Sequence, residues 1–356
     1  MNAVLQKLTA EALTTALGGF DPAIAPVVDV VVEPLGIEGA FCDLARLVLT
    51  YGSPGSAGPP SLVAKVPKEA PAARAMGSAI GLYERERRFY ATLASDVSVR
   101  IPSCYHPGDG DIGENPMLLE DLSALRGGDQ VAGLSLDDAG AVIDSLASLH
   151  ASGWNSGAVA GADWLCSLDD PAFSAGVVAL VGSGVDAFEQ RYADRLPAQV
   201  STAAACAARN FAPYLERCRS GPFTLAHFDA RADNWLFDPG GEPVLIDWQT
   251  AARIRGVHDV AYVVAASLAT DLQADYWQSL LRRYHEQLRR HGVGDYAWDD
   301  CCSHYRQHVA YASLLSLALL GLAEIGSERG RALADAVIIR GVRHAADIRA
   351  YDLHDG

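Results

Sequence analysis

The sequence predicts an α+β chain of two lobes: residues 1–120 form a small antiparallel sheet with a helix against it, and residues 121–356 form a mostly helical second lobe. Two observations predict this. Runs that are β-branched or alternate in polarity concentrate before residue 70, and helical spacing dominates beyond residue 135. A chain of 356 residues, 50% hydrophobic and 20% charged, has an ordinary folded composition and enough length to form two lobes.

In chain order, residues 8–17 have helical spacing. Residues 27–32 form a β-branched strand, residues 41–51 alternate as a second, and residues 62–66 resume as a third after a Gly-, Ser- and Pro-rich loop at 52–60. Residues 74–93 read as one helix, broken near Asp96. In the second lobe, residues 139–152, 171–218, 272–291, 299–323 and 327–350 supply helices. The apolar run at 309–322 is too short to span a bilayer and reads as a buried helix. No internal repeat or low-complexity tract interrupts the pattern.

A net charge of −16 argues against a nucleic-acid partner or an anionic membrane surface, since both demand basic patches. Seven scattered cysteines with no Cys-x-x-Cys pair suggest neither a zinc site nor a disulfide framework. Reduced thiols and the lack of a basic-then-apolar start lead us to expect a cytoplasmic protein without membrane insertion.

The chemistry concentrates in residues 227–249. His227-Phe-Asp229 is followed by Asn234, then by a hairpin signal of two apolar runs joined through Asp238-Pro-Gly-Gly241, then by Asp247-Trp-Gln. ATP-dependent phosphoryl transfer needs this set: one carboxylate to orient and deprotonate an acceptor hydroxyl, and a carboxamide and a second carboxylate to hold Mg²⁺ against the phosphates. A surface hairpin with Asp and Asn as turn formers is the ordinary alternative. In the first lobe, Lys65 lies inside an apolar strand, and Glu86 lies on the apolar stripe of Leu82, Phe89, Tyr90 and Leu93. Each charge needs the other, either as a phosphate-directing pair or as a purely structural one. Gly36 and Gly39, between the first two strands, would let the backbone approach a phosphate, as they would in any turn. Residues 117–122, with Leu119, Glu120 and Leu122, read as a crossover whose backbone groups would meet an adenine edge. His150 reads as a core histidine with a backbone partner. Asp259 is explained locally as a first-turn carboxylate.

None of these motifs is specific alone; their order and spacing are. Lys65 in Val-Ala-Lys, Glu86 in Glu-x-x-Phe-Tyr, Leu-Glu-Asp-Leu at 119–122, His-x-Asp-x4-Asn at 227–234, Ile-Asp-Trp-Gln at 246–249 and His-Asp-Val-Ala-Tyr at 258–262 follow in sequence. Over essentially its whole length the chain resembles the aminoglycoside-phosphotransferase-like kinases. Within them it is most similar to the ecdysteroid-kinase-like branch and to the kinase-like domains fused to some acyl-CoA dehydrogenases. The resemblance implies a bilobal protein-kinase-like fold, ATP and Mg²⁺ as cofactors, and a small-molecule hydroxyl as acceptor. It implies Asp229 as base, Asn234 and Asp247 as metal ligands, Lys65 as phosphate clamp, Glu86 as its anchor, and Asp259 as the group that bonds the catalytic loop and holds His227. Phe228 departs from the family's usual Gly. The apolar, Trp- and Tyr-rich second lobe (Trp154, Trp164, Trp277, Tyr305, Tyr311) leans toward a steroid-like, lipid or acyl-type acceptor, although each aromatic is individually explained as core. The alternatives are an antibiotic phosphotransferase and a nucleotide-binding pseudokinase that regulates a partner.

Overall fold

The computed structural model describes residues 2–36, 39–52, 58–109, 115–320 and 328–353. The middle of the glycine loop (Ile37, Glu38), residues 53–57 of the Pro-rich loop and the end of the 309–322 run lie outside them. The chain divides into two compact units: Met1–Ser95, Ile101–Leu125 and Ile246–Gln249 make the first, and Asp96–Arg100, Arg126–Leu245 and Thr250–Gly356 the second.

The first unit carries α1 (Ala3–Gln6), α2 (Ala10–Phe20), β1 (Val27–Pro34), β2 (Cys42–Tyr51), β3 (Ser61–Pro67), α3 (Pro71–Ala79), α4 (Leu82–Thr92), β4 (Cys104–His106) and β5 (Met117–Glu120). The sheet has five strands in the order β1-β2-β3-β5-β4, every pairing antiparallel, two more than sequence spacing predicts. Alternation sets its faces: Ala45, Leu47 and Leu49 of β2 and Leu62, Ala64 and Val66 of β3 point into one core with Leu13 and Leu17 of α2. Lys65, between Ala64 and Val66, therefore points to the opposite face. The single helix expected over 74–93 is two helices. Gly81 stands between them at φ +71°, a left-handed turn that glycine adopts without Cβ strain.

The second unit carries β6 (Arg126–Gly127), α5 (Leu136–Ser152), α6 (Gly157–Gly161), β7 (Cys166–Ser167), α7 (Pro171–Tyr192), α8 (Ala198–Arg209), α9 (Ala212–Arg217), β8 (Thr224–Ala226), β9 (Trp235–Phe237), β10 (Pro243–Leu245), β11 (Ala252–Ile254), α10 (Val257–Tyr262), α11 (Thr270–Arg290), α12 (Trp298–Leu315) and α13 (Glu328–Asp347). Its strands form two small sheets, β10-β9-β6 and β7-β11-β8. The β9–β10 hairpin has the register Trp235↔Leu245, and its turn is closed by Gly241 N–H on Asp238 O and Glu242 N–H on Asp238 Oδ1. Val309, Tyr311 and Leu314 of α12 are fully buried, as the apolar run predicts. Among the described residues one helix, α7, is long and apolar enough to cross a membrane by length and composition, and 33% of that stretch is buried within the chain.

Candidate active site

In the first unit the centre is Lys65. Its ammonium lies 2.6 Å from Glu86 Oε2 and 2.7 Å from Asp247 Oδ1. The expected pair with Glu86 is present, and a second carboxylate joins it from 182 residues away in the chain. Burial would pull the ammonium down in pKa, but Asp247 and Glu86 outweigh it and hold Lys65 well above its ordinary value. Burial, with Asp247 adding to it, pushes Glu86 up against the pull of Lys65.

Helix α4 presents one contact to Lys65 and two to residues 246–249. Glu86 takes Lys65, Arg85 NH1 donates to Gln249 O at 2.8 Å, and Phe89 stacks on Trp248 with ring centroids 3.9 Å apart and planes within 6°. Sequence reasoning singled out Glu86 and missed Arg85. That residue is 8% exposed, and a buried guanidinium beside the apolar stripe is the signal that would have found it. Asp247 adopts φ +69°, a conformation rare outside glycine and a mark of a specially held side chain.

Gly36 has φ +72° and open space around it, whereas a Cβ on Gly39 would sit 2.7 Å from Cys42 O, so close backbone packing already explains Gly39. Leu119 and Leu122 are buried. Of the crossover's backbone groups, the Glu120 amide donates to Ser103 O at 2.8 Å, because β5 continues its pairing to that point.

In the second unit the centre is the loop 227–234. Asp259, wholly buried in the first turn of α10, accepts from the backbone N–H of His227 at 2.7 Å and of Phe228 at 2.9 Å, and from His150 Nε2 at 3.2 Å. His150 is a core histidine whose partners are side chains: its Nδ1 accepts from Tyr284 O–H at 2.9 Å. Burial would raise the Asp259 carboxyl, but His150 and the neighbouring imidazoles hold it below its ordinary value. Thr250 Oγ1 donates to His227 O at 3.0 Å. Phe228 adopts φ +71°, which costs a bulky residue on the order of 1–3 kcal/mol and persists only where its surroundings over-determine it.

Asn234 Nδ2 donates to Asp229 O at 2.7 Å and approaches Asp229 Oδ2 at 3.3 Å. That orientation turns the amide oxygen, the atom a hard cation takes, away from the Asp229 bond. The Asp229 carboxylate is 20% exposed and lies 3.4 Å from Arg231 NH1. Trp235 Nε1 donates to Ala230 O at 3.0 Å. Two further residues the sequence did not reveal hold the loop's far end: the Ala232 amide donates to Gln130 Oε1 at 2.8 Å and to Ser267 Oγ at 3.1 Å, and Gln130 is fully buried. Of the aromatics proposed for the acceptor, Tyr305 and Tyr311 are wholly buried and Trp277 stacks on Tyr305 at 5.5 Å, so these belong to the core. Among the described residues no cluster of three or more His, Cys, Asp or Glu side chains forms a self-contained metal cage.

A family model described as the ecdysteroid kinase-like family matches residues 38–292. No curated protein sequence matches the chain. Among solved structures, it is similar to the macrolide 2'-phosphotransferase MphH of Brachybacterium faecium at 17% identity, covering 92% of this chain and 97% of that one with a TM-score of 0.50. It is similar to an aminoglycoside 2'-phosphotransferase-IIIa in its GDP complex at 16% identity, covering 96% and 99% with a TM-score of 0.51. A Plasmodium vivax ethanolamine kinase matches at 9% identity over 91% and 83% with a TM-score of 0.50. These likenesses establish the kinase-like α+β fold.

Proposed function

The chain belongs to the ecdysteroid kinase-like family and is a small-molecule kinase; from that premise we propose that it transfers the γ-phosphoryl group of ATP to a hydroxyl of an apolar small molecule, steroid-like, lipid or acyl-type. The observation that carries this reading is the loop of Asp229. Its two preceding amides are fixed on one buried carboxylate, while the Asp229 carboxylate itself stays 20% exposed. A rigidly mounted, accessible carboxylate is what a base needs in order to orient an acceptor hydroxyl and take its proton.

In this reading Asp229 positions and deprotonates the acceptor, Lys65 directs the phosphates, and Glu86 and helix α4 hold Lys65 in place. Asn234 and Asp247 would hold Mg²⁺, whose role is to neutralise charge on the phosphates. Phe228, half-buried and packed on Phe173 with centroids 6.1 Å apart, would give the acceptor an apolar surface beside Asp229. The antibiotic and ethanolamine substrates in the names of structurally similar proteins are theirs; at 9–17% identity they carry no assignment here.

The test is Asp229→Ala, assayed against hydroxysteroids, long-chain alcohols and aminoglycosides. The variant should bind Mg·ATP as the parent does and lose orders of magnitude in phosphotransfer. A parent that binds Mg·ATP and phosphorylates nothing, with no change on substitution, would favour the pseudokinase reading instead.

A further inference from the structure

The strained peptide at Phe228 is gripped from one side by a pair of histidines that no role above uses. The Phe228 carbonyl lies 3.4 Å from His258 Nε2, and the Phe228 ring stacks on the His258 ring with centroids 4.6 Å apart and planes at 20°. On its far side His258 Nδ1 lies 3.3 Å from His308 Nδ1 of α12. Both imidazoles are wholly buried, and His308 Nε2 is a buried atom without a hydrogen-bond partner among the described residues.

For two neutral rings these contacts admit one arrangement of protons. A carbonyl only accepts, so His258 Nε2 carries hydrogen and, in a neutral ring, His258 Nδ1 is a lone pair. His308 Nδ1 must then be the donor, which leaves His308 Nε2 bare. We propose that His258 and His308 form a neutral, tautomer-locked pair that positions the Asp229 loop through the Phe228 carbonyl, so that one further proton on the pair loosens the loop and lowers turnover. The turnover part rests on the kinase reading; the tautomers and the loop contact do not.

A further proton has two places to go, and both are unfavourable. On His258 Nδ1 it would set two N–H groups against each other across 3.3 Å. On His308 Nε2 it would place a buried charge with no acceptor among the described residues. The surrounding groups act unevenly. On α10, Asp259 favours charge on His258, but its carboxylate already serves His227, Phe228 and His150. From α5, His150 opposes charge on His258; Arg255 before α10 and His304 on α12 oppose charge on His308. Tyr262 and Tyr311 present aromatic rings to His258. Burial is the largest influence and pushes both histidines below their ordinary value.

The test uses the full chain. ¹⁵N spectra of the histidine side chains at pH 7.5 should show two neutral rings, Nε2–H for His258 and Nδ1–H for His308; a charged ring or the opposite tautomers would overturn the pairing. His258→Phe keeps a stacking ring and removes the donor. Amide exchange at residues 228–229 should speed up, and Mg·ATP turnover should fall roughly ten- to a hundredfold with unchanged ATP affinity. His258→Gln, which returns a donor near the same point, should recover most of both. His308→Asn, which keeps a donor near Nδ1, should hold turnover at pH 8 and move the acid limb of its pH profile downward. Unchanged exchange in His258→Phe, or an unmoved acid limb in His308→Asn, would reject the positioning role. A parent chain without Mg·ATP turnover would count against the kinase reading alone, because the tautomers and exchange rates report on the pair independently.

Discussion

Lys65 is the residue on which the first unit's chemistry turns, because it neutralises two carboxylates at once. Replacing it with Met leaves Glu86, 3% exposed, and Asp247 without their cation. Removing one partner of a buried pair costs about 3–5 kcal/mol, because the other charge stays buried and unpaired. Lys65→Met should therefore lower the unfolding free energy by about that amount, seen as a lower urea midpoint, and weaken Mg·ATP binding; an unchanged midpoint would show that the carboxylates relax into water. Asp247→Asn separates the metal role from the structural one. It should keep the fold and lose most of the Mg²⁺-dependent part of ATP affinity, and equal calorimetric affinities in variant and parent would reject Asp247 as a ligand. Lys65–Glu86 was legible in the sequence because a charge on each of two apolar faces demands a partner. Asp247 was legible as a ligand candidate but not as a lysine partner, since nothing in local spacing links residues 182 apart. Gln130 and His308 were illegible: a buried polar residue announces itself only through the carbonyl or ring it meets.

The elements the sequence resolved are those whose period comes from one continuous face: β1 to β3, the β9–β10 hairpin with its Asp-Pro-Gly-Gly turn, and the long helices α5, α11, α12 and α13. Those it missed are two- to four-residue strands such as β4, β6, β7 and β11, which exist only because a partner strand supplies their hydrogen bonds. The break between α3 and α4 was missed because Gly81 sits in an otherwise helical pattern, where its left-handed φ is not visible. At this scale the sensitive joint is the start of α10. A Cβ on Gly256 would lie 2.5 Å from His150 Cγ and 2.7 Å from Tyr284 Oη. Gly256→Ala must push α10 away from α5, and α10 carries Asp259 and His258. The variant should lose about 1–3 kcal/mol by overpacking, and the His227 and Phe228 amides should exchange faster than the rest of the unit. Parent-like protection there would mean that the helix absorbs the methyl without moving Asp259.

Over the whole molecule, the buried histidines make folding sensitive to mild acid. Burial lowers His258 and His308, and takes His304 and His344 down to about 4. All four are neutral in folded and unfolded chains above about pH 6.5, the unperturbed histidine value, so stability there is independent of them. As pH falls below that value the unfolded chain takes up protons that the folded chain refuses, and stability declines until the folded values are passed. His344, 2% exposed, illustrates the size: its Nε2 lies 2.8 Å from the Tyr305 hydroxyl and no carboxylate is among the causes of its shift. By pH 5 it alone should remove on the order of 2 kcal/mol, at about 1.4 kcal/mol per pH unit. His304 is more exposed and contributes less, because water screens its charge. The lowered carboxyls, Asp259 and Asp335 among them, lose their contribution only nearer their own range, and Lys65 matters only at high pH. The urea midpoint should therefore be flat from about pH 7 to 8.5, fall between about 6.5 and 4.5, and fall less steeply in His344→Gln. A midpoint that holds level to pH 5 would mean that the histidines reach water or a counter-charge before the chain unfolds, and with it the case for a neutral His258–His308 pair would weaken.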